Sequence, residues 1–231
     1  MKKLWLSIKS IIYTYIVQYI LIFIGTVFYI ALTKDANIIT NEIKLYNFLT
    51  ICTMISLIPI TIYLLKKHKI KETKPKIKKI IPIIILGLNI SLFFNMLTIN
   101  IQEENPLTNL NIILLISYVV IIAPIFEELL FRYIALKDAR KNYQDKIAIL
   151  IISISFALMH TGIINIIYTF IFGIILSYIY IKYKNIIYPI IMHASANLMS
   201  LLISEFNLLY LIISIILLTS TIIYIKKAKH I

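Results

Sequence analysis

The sequence is poor in the residues that build disulfide frameworks and loops. Cys52 is the only cysteine among 231 residues, which excludes an internal disulfide framework and a cysteine-rich metal site. There is no internal repeat, no low-complexity tail and no room for a separate soluble domain. The presence of only four glycines, together with the abundance of Ile, Lys, Asn and Tyr, is typical of an AT-rich bacterial genome.

Apolar residues are what the sequence has in excess. They make up 61% of the chain, and the mean hydropathy is +0.94, whereas soluble domains are roughly 45–50% apolar. The composition therefore predicts a polytopic membrane protein. The net charge of +13 does not predict a nucleic-acid partner, because the basic residues lie between apolar segments, where orientation signals belong.

Eight apolar segments have about the ~20 residues that a ~30 Å hydrocarbon core requires, although the fifth is short. The predicted spans are 11–32, 45–65, 80–98, 112–135, 147–162, 164–181, 186–203 and 207–225. The predicted fold class is an all-α membrane helix bundle, with residues 1–231 forming a single transmembrane domain. The first segment is predicted to be a retained helix, because it is too long for a signal peptide and lacks a small-x-small cleavage site.

The distribution of basic residues predicts which ends face the cytoplasm. With eight spans and the N-terminus inside, twenty of the 23 Lys and Arg residues fall on the cytoplasmic side, as the positive-inside rule requires. Both termini are therefore predicted to be cytoplasmic. The segment 66–79 carries eight of these lysines. We interpret it first as an orientation signal and second as a site for anionic lipid headgroups.

Two adjacent carboxylates interrupt the fourth apolar segment. An ionised side chain at the centre of a membrane helix costs about 2.5–3.5 kcal/mol to insert, so Glu127 and Glu128 need a function or a partner. Arg132 follows Glu128 by four residues, the spacing at which side chains share a helix face, so we expect a structural ion pair between them. Glu127 points about 100° away and is a candidate general base.

Two later apolar segments each carry a histidine. His160 follows Phe156 by four residues and Asn197 follows His193 by four, so each pair is predicted to share a helix face. An imidazole beside an amide suits a developing oxyanion as well as a metal ion. At 1.5 Å per residue from the nearest cytoplasmic charge, Glu127 and His193 lie at a similar depth of roughly 14–15 Å, whereas His160 comes out deeper, at about 21 Å.

The order and spacing of these residues resemble a known family. Glu-Glu-x-x-x-Arg at 127–132, Phe-x-x-x-His at 156–160 and His-x-x-x-Asn at 193–197 are similar to the motifs of the CPBP family of intramembrane proteases. This family is also called the CAAX-protease, Abi or Rce1-like family. Phe170, Gly173 and Pro189 agree with the same pattern. The resemblance covers about residues 115–200, which we expect to be the catalytic core.

The resemblance implies an eight-helix endopeptidase whose active site opens toward the cytoplasm. It implies that Glu127 and His160 activate the attacking water. His193 and Asn197 would stabilise the tetrahedral oxyanion, and Arg132 would hold Glu128 in place. The family has been described both as metalloproteases and as metal-independent glutamate proteases. We expect no required cofactor; if zinc or another divalent metal is used, the expected ligands are Glu127, His160 and His193.

The expected substrate is a membrane-associated, lipidated or apolar peptide, cleaved at the plasma membrane of a bacterium. Because bacteria do not usually prenylate proteins, bacteriocin processing or self-immunity is the expected role. One alternative is a non-catalytic bacteriocin-immunity or scaffold protein on the same fold, although no motif residue is lost. Another is a proton-coupled transporter that uses Glu127 and His193, although the sequence has no internal symmetry. The sequence does not give the oligomeric state.

Overall fold

Helix is the only regular secondary structure among the residues that the structure describes. The computed structural model describes residues 2–33, 42–68, 72, 74–99, 111–203 and 205–227. Over these ranges it contains eight helices, and the predicted all-α class is confirmed. They are α1 (Lys2–Thr33), α2 (Glu42–His68), α3 (Ile77–Thr98), α4 (Ile112–Arg140), α5 (Asp145–Ala157), α6 (Ile163–Tyr183), α7 (Ile187–Leu202) and α8 (Leu208–Lys227).

Five helical segments within these ranges are long and apolar enough to cross a membrane. They are Lys2–Leu32, Asn47–Lys66, Ile77–Thr98, Ile112–Arg140 and Ile163–Tyr183. Two shorter apolar segments, Ile187–Leu202 and Leu208–Ile223, follow. These helices support the predicted membrane protein. The count of eight crossings and the cytoplasmic position of both termini stay predictions, and residues 1 and 228–231 lie outside the described part of the chain.

The fifth predicted span, 147–162, extends beyond the helix found there. α5 ends at Ala157, and its 13 residues extend about 20 Å, less than the ~30 Å hydrocarbon core. Gly162 has a φ of +81° in the turn before α6, a conformation that glycine adopts without steric cost. His160 therefore lies in the turn after α5, and the prediction that it stands on a membrane helix was wrong.

The helices divide into two compact units, and the first comprises Met1–Lys71 and Glu104–Asn142. Here α1 packs along α2 and along the C-terminal half of α4. The packed face of α1 is partly polar, because Ser7, Thr14 and Gln18 are buried on it together with Ile11. The prediction of a single transmembrane domain over residues 1–231 stays a prediction.

α4 is not a uniform α-helix. Its turns widen to π-helical geometry over Ser117–Ile122 and Leu129–Leu136, with the α-helical stretch Ala123–Glu128 between them. Pro124 favours the first widening, because proline has no N–H to donate to the preceding turn. The two adjacent carboxylates therefore stand where α-helical geometry gives way to π-helical geometry, a local distortion that is frequent at functional sites.

The second unit comprises Glu72–Glu103 and Tyr143–Ile231 and holds the other five helices. In it α3 packs along α7 and α8, and α5 packs along α6. A buried apolar cluster joins α3, α6 and α7. Its members are Ile83, Leu86, Ile90, Phe172, Leu176, Ile179, Tyr188, Met192 and Ala196. This cluster fixes the position of α7, the helix that carries His193 and Asn197.

At Gly87, α3 and α7 approach each other closely. A Cβ atom built on Gly87 would overlap the hydroxyl of Ser195 and the main-chain carbonyl of Met192. The hydroxyl of Ser195 in turn donates a hydrogen bond of 2.8 Å to that same carbonyl. Small residues at a helix crossing allow backbones in a membrane protein to pack closely, and here the crossing lies next to His193.

Gly87→Ala is expected to destabilise the folded protein by about 2 kcal/mol or more, because overpacking costs roughly 1–3 kcal/mol and the obstacle is partly backbone. Gly25→Ala is the matched control, since its new Cβ would lie 3.7 Å from Cys52 Sγ, an ordinary contact. That control should leave stability unchanged or raise it slightly, because alanine favours helix. Unfolding by SDS titration in micelles measures both, and equal effects would contradict the close crossing.

Candidate active site

Glu128 and Arg132 form an ion pair in the interior of the first unit. Arg132 Nη1 donates a hydrogen bond of 2.9 Å to Glu128 Oε1, and both side chains are 0% exposed. The predicted i,i+4 pairing is therefore present. The charges of a buried pair must satisfy each other, because neither can be solvated by water. Glu128 is thus an ionised partner of Arg132, and its carboxylate is not presented to a substrate.

Glu127, the neighbouring carboxylate, has different surroundings. It is only half-buried, and it lies within electrostatic range of Arg132 and of two tyrosines, Tyr15 on α1 and Tyr118 on α4. The ring of Tyr15 packs edge-on against Phe126, with 6.3 Å between ring centroids. One guanidinium and two phenols therefore act electrostatically on this carboxylate.

The two tyrosines are residues that the sequence pattern did not single out. Tyr118 lies nine residues before Glu127, which is not a spacing that predicts contact on a helix. Tyr15 lies on α1, far away in the sequence. The sequence did carry a signal for Tyr15, because the polar residues Thr14 and Gln18 lie near it in a largely apolar segment. In the structure both of these residues are buried. Polar side chains in a membrane span usually face protein rather than lipid.

His160 stands in the turn after α5, where its ring contacts the main chain. Its Nδ1 lies 3.0 Å from the carbonyl oxygen of Phe156. A carbonyl only accepts hydrogen bonds, so Nδ1 carries the proton and Nε2 is the basic nitrogen of the ring. The depth of about 21 Å expected for His160 assumed a continuous helix from Lys146. The helix ends at Ala157, after a rise of only roughly 17 Å.

His193 is buried on α7 against two aromatic side chains, of which Phe156 also contacts His160. Its ring is 5% exposed and meets Phe156 and Phe172 edge-on, with centroid distances of 5.9 Å and 5.5 Å. Phe156 also contacts the ring of His160, at 4.9 Å. Phe156 thus lies between the two imidazoles. The ring of α6 that packs on His193 is that of Phe172, two residues after Phe170.

Asn197 and Gly173 complete the group in the second unit. Asn197 is half-buried on α7, one turn beyond His193, as predicted. A Cβ on Gly173 would lie 3.3 Å from both Phe156 and Ser153, so the glycine lets α6 approach α5 closely behind the Phe156 ring. The structure therefore brings together His160, His193 and Asn197 within one unit, and Glu127, Glu128 and Arg132 within the other.

The donors present fit either proton transfer or metal binding. Among the described residues of each unit, no three His, Cys, Asp or Glu side chains are grouped to hold a metal ion. The hydrogen bond from His160 Nδ1 to a main-chain carbonyl is the kind of contact that orients a metal-bound histidine. The same bond orients a general base. Zinc dependence and its absence therefore both stay open to experiment.

These features define an integral membrane protein built of helices. It carries a buried carboxylate–arginine pair and two imidazoles. Residues 109–199 match the family model described as type II CAAX prenyl endopeptidase Rce1-like. This segment belongs to the Rce1-like family, which confirms the resemblance seen in the motifs. The match supports, in general terms, a CAAX-type intramembrane protease. No curated protein and no solved structure matches the chain.

Proposed function

We propose that this protein is an intramembrane endopeptidase that hydrolyses a peptide bond in a membrane-associated, lipidated or apolar peptide, near the cytoplasmic face of a bacterial plasma membrane. The observation that carries the proposal is the pair of imidazoles on Phe156, inside the segment that matches the Rce1-like family. In one of them, His160, Nδ1 lies at hydrogen-bond distance from the carbonyl oxygen of Phe156, an arrangement that leaves Nε2 as the basic nitrogen. A purely structural histidine does not require that arrangement.

In the proposed reaction Glu127 and His160 take a proton from water while its oxygen attacks the scissile carbonyl carbon. The negative charge that develops on the carbonyl oxygen is stabilised by N–H groups of His193 and Asn197. The carbon–nitrogen bond then breaks, and the abstracted proton passes to the leaving amine. Arg132 holds Glu128 as a fixed ionised group, and its charge also acts on Glu127.

We favour water activation without a metal, with Glu127 as the base. The alternative is a bound zinc ion with Glu127, His160 and His193 as ligands, which would supply a more acidic water. The two versions use the same side chains and differ in their response to chelators. The biological role that fits a bacterial protein of this kind is processing of a bacteriocin-like peptide or self-immunity against one.

The test is cleavage by the purified full-length chain in lipid nanodiscs. Three peptides of the same sequence are compared: one with a farnesylated C-terminal cysteine, one joined to an apolar membrane-inserting segment, and one without either anchor. We expect cleavage of an anchored peptide and none of the unanchored one, because the site lies among apolar helices. The Glu127→Ala variant provides the background from contaminating proteases.

Adding and withdrawing metal separates the two versions of the chemistry. Cleavage that survives a chelator supports Glu127 acting without metal. Cleavage that is lost in chelator and restored by zinc assigns the histidines as ligands. No cleavage of any anchored peptide by a folded protein would contradict the proposal and favour the non-catalytic immunity or scaffold protein.

A further inference from the structure

Two basic segments that are distant in the sequence come together in the second unit. Lys74, Lys76, Lys78 and Lys79 precede or begin α3, while Lys182 and Lys184 end α6. Tyr183 connects the two groups, because the Nζ atoms of Lys79 and Lys182 lie 5.2 Å and 5.4 Å from its ring centroid. Both distances are within cation–π range. We call these six lysines the basic patch; Lys69 and Lys71 lie outside the described residues.

Glu72 fastens the first of these segments to the second. The main-chain N–H of Ile186, in the turn between α6 and α7, donates a hydrogen bond to Glu72 Oε2, and the hydroxyl of Tyr180 lies 3.4 Å from Oε1. A second bond follows four residues later, where the N–H of Lys76 donates to the hydroxyl of Tyr188 at 2.9 Å. Since Ile186 and Tyr188 are buried, the segment is anchored to the core of its unit.

An orientation signal does not require this arrangement. The positive-inside rule depends on how many basic residues flank a span, not on contacts between them. Gathering like charges is unfavourable, and Glu72 is the sole acid among residues 66–79, with both of its oxygens directed to the turn and to Tyr180. An anion from outside the chain, placed among these lysines, would reduce the repulsion between them.

The neighbouring side chains identify that anion as part of a lipid. Ile77 and Ile81 at the start of α3 are 76% and 59% exposed, so large apolar side chains adjoin the lysines. Tyr183 is half-buried beside these lysines and packs on the buried ring of Tyr188 at 4.8 Å, and tyrosine is enriched at the level of lipid headgroups. A ligand that meets both a basic patch and exposed isoleucines has a charged head and an acyl chain.

We propose that the basic patch, assembled by the anchoring of Glu72, binds the phosphate headgroup of an anionic lipid. The site is separate from the residues of the proposed reaction, and its occupancy does not depend on catalysis. It also assigns to Glu72 a role opposite to the one its charge suggests. An acid that only repelled anions would weaken lipid binding, whereas an acid that holds the patch together strengthens it.

The test is titration of the purified full-length chain in detergent with dioleoyl phosphatidylglycerol, with bound lipid counted by native mass spectrometry. Lys79→Gln/Lys182→Gln is expected to weaken binding roughly five- to thirty-fold, given the contribution of each lysine near an anionic surface. Glu72→Ala is expected to weaken it at least about three-fold, although the variant is more positive than the parent. Dioleoyl phosphatidylcholine should bind equally to all variants.

Matched controls carry the same charge changes elsewhere. Asp145→Asn removes one acid outside the patch, and Lys2→Gln/Lys3→Gln removes two lysines of the first unit; neither should weaken binding of phosphatidylglycerol by more than two-fold or so. Unchanged or tighter binding by a folded Glu72→Ala protein would overturn the role of Glu72. Equal losses for the two lysine pairs would overturn the patch itself. Displacement of the lipid by millimolar inorganic phosphate would assign the site to small anions.

Discussion

Glu127→Gln is expected to lower kcat for peptide cleavage by about 10²–10⁴-fold, the usual contribution of a general base, while the protein stays folded. The amide keeps the shape of the side chain but cannot accept a proton from water. Glu127 is half-buried, and the fully buried ion pair at 2.9 Å joins Arg132 to Glu128, so replacing Glu127 keeps both members of that pair. Single-turnover cleavage in nanodiscs, beside an SDS unfolding curve, measures both parts of the expectation.

Asp138→Asn is the matched control for this change. Asp138 lies on the same helix, and its carboxylate pairs at 2.6 Å with Lys141, which is 73% exposed. Because exposed ion pairs contribute little to stability, the control should alter neither kcat nor unfolding. A Glu127→Gln protein that retains more than about a tenth of the parental kcat would contradict the assignment of Glu127 as general base.

Combining Glu127→Gln with His160→Ala tests whether the two residues act in one step. If both activate the same water, the double variant should be little slower than the slower single variant, because residues that act as a unit are strongly non-additive. Multiplication of the two losses would mean independent roles. This comparison matters because the two residues belong to different compact units of the chain.

Arg132→Met is expected to destabilise the folded protein by about 3–5 kcal/mol, since it removes the guanidinium that neutralises Glu128 in the interior. A typical protein is stable by only about 5–15 kcal/mol, so the variant should unfold at far lower SDS concentration or fail to accumulate. The expectation rests on the complete burial of both partners, because the same pair on a surface would contribute about 1 kcal/mol or less.

The double variant Glu128→Leu/Arg132→Met separates the cost of an unpaired charge from the value of the pair. Replacing a whole buried ion pair by apolar side chains of similar volume is often neutral or stabilising. The double variant should therefore recover most of the stability that Arg132→Met loses. If it is as unstable as the single variant, the pair contributes packing or contacts that leucine and methionine cannot supply.

Local spacing predicted those parts of the molecule that depend on neighbours within one or two helical turns. The long apolar segments gave the helices, and the four-residue interval gave the pairing of Glu128 with Arg132. The end of α5 was missed because Leu158 and Met159 continue the apolar run, and hydropathy alone does not distinguish a helix from an apolar turn. The conformation of Gly162 became evident only in the structure.

Contacts between distant segments could not be read from spacing. Tyr15 reaches the surroundings of Glu127 through the packing of α1 against α4, and Glu72 reaches the start of α7 across more than a hundred residues of sequence. The widened turns of α4 were also unforeseen, because a π-helical stretch uses the same apolar residues as an α-helical one. Such features depend on tertiary packing, which overrides local preference.

The turn after α5 has a kinetic consequence. Leu158 and Met159, which precede His160, are 64% and 46% exposed. Apolar side chains of this kind have a lower free energy in contact with hydrocarbon than in contact with water. Under the proposed function, a membrane-associated substrate would reach this histidine by lateral diffusion in two dimensions. The relevant concentration is then the mole fraction of substrate in the bilayer. Inert lipid added at constant total substrate slows such an enzyme by surface dilution, whereas a change in aqueous volume does not.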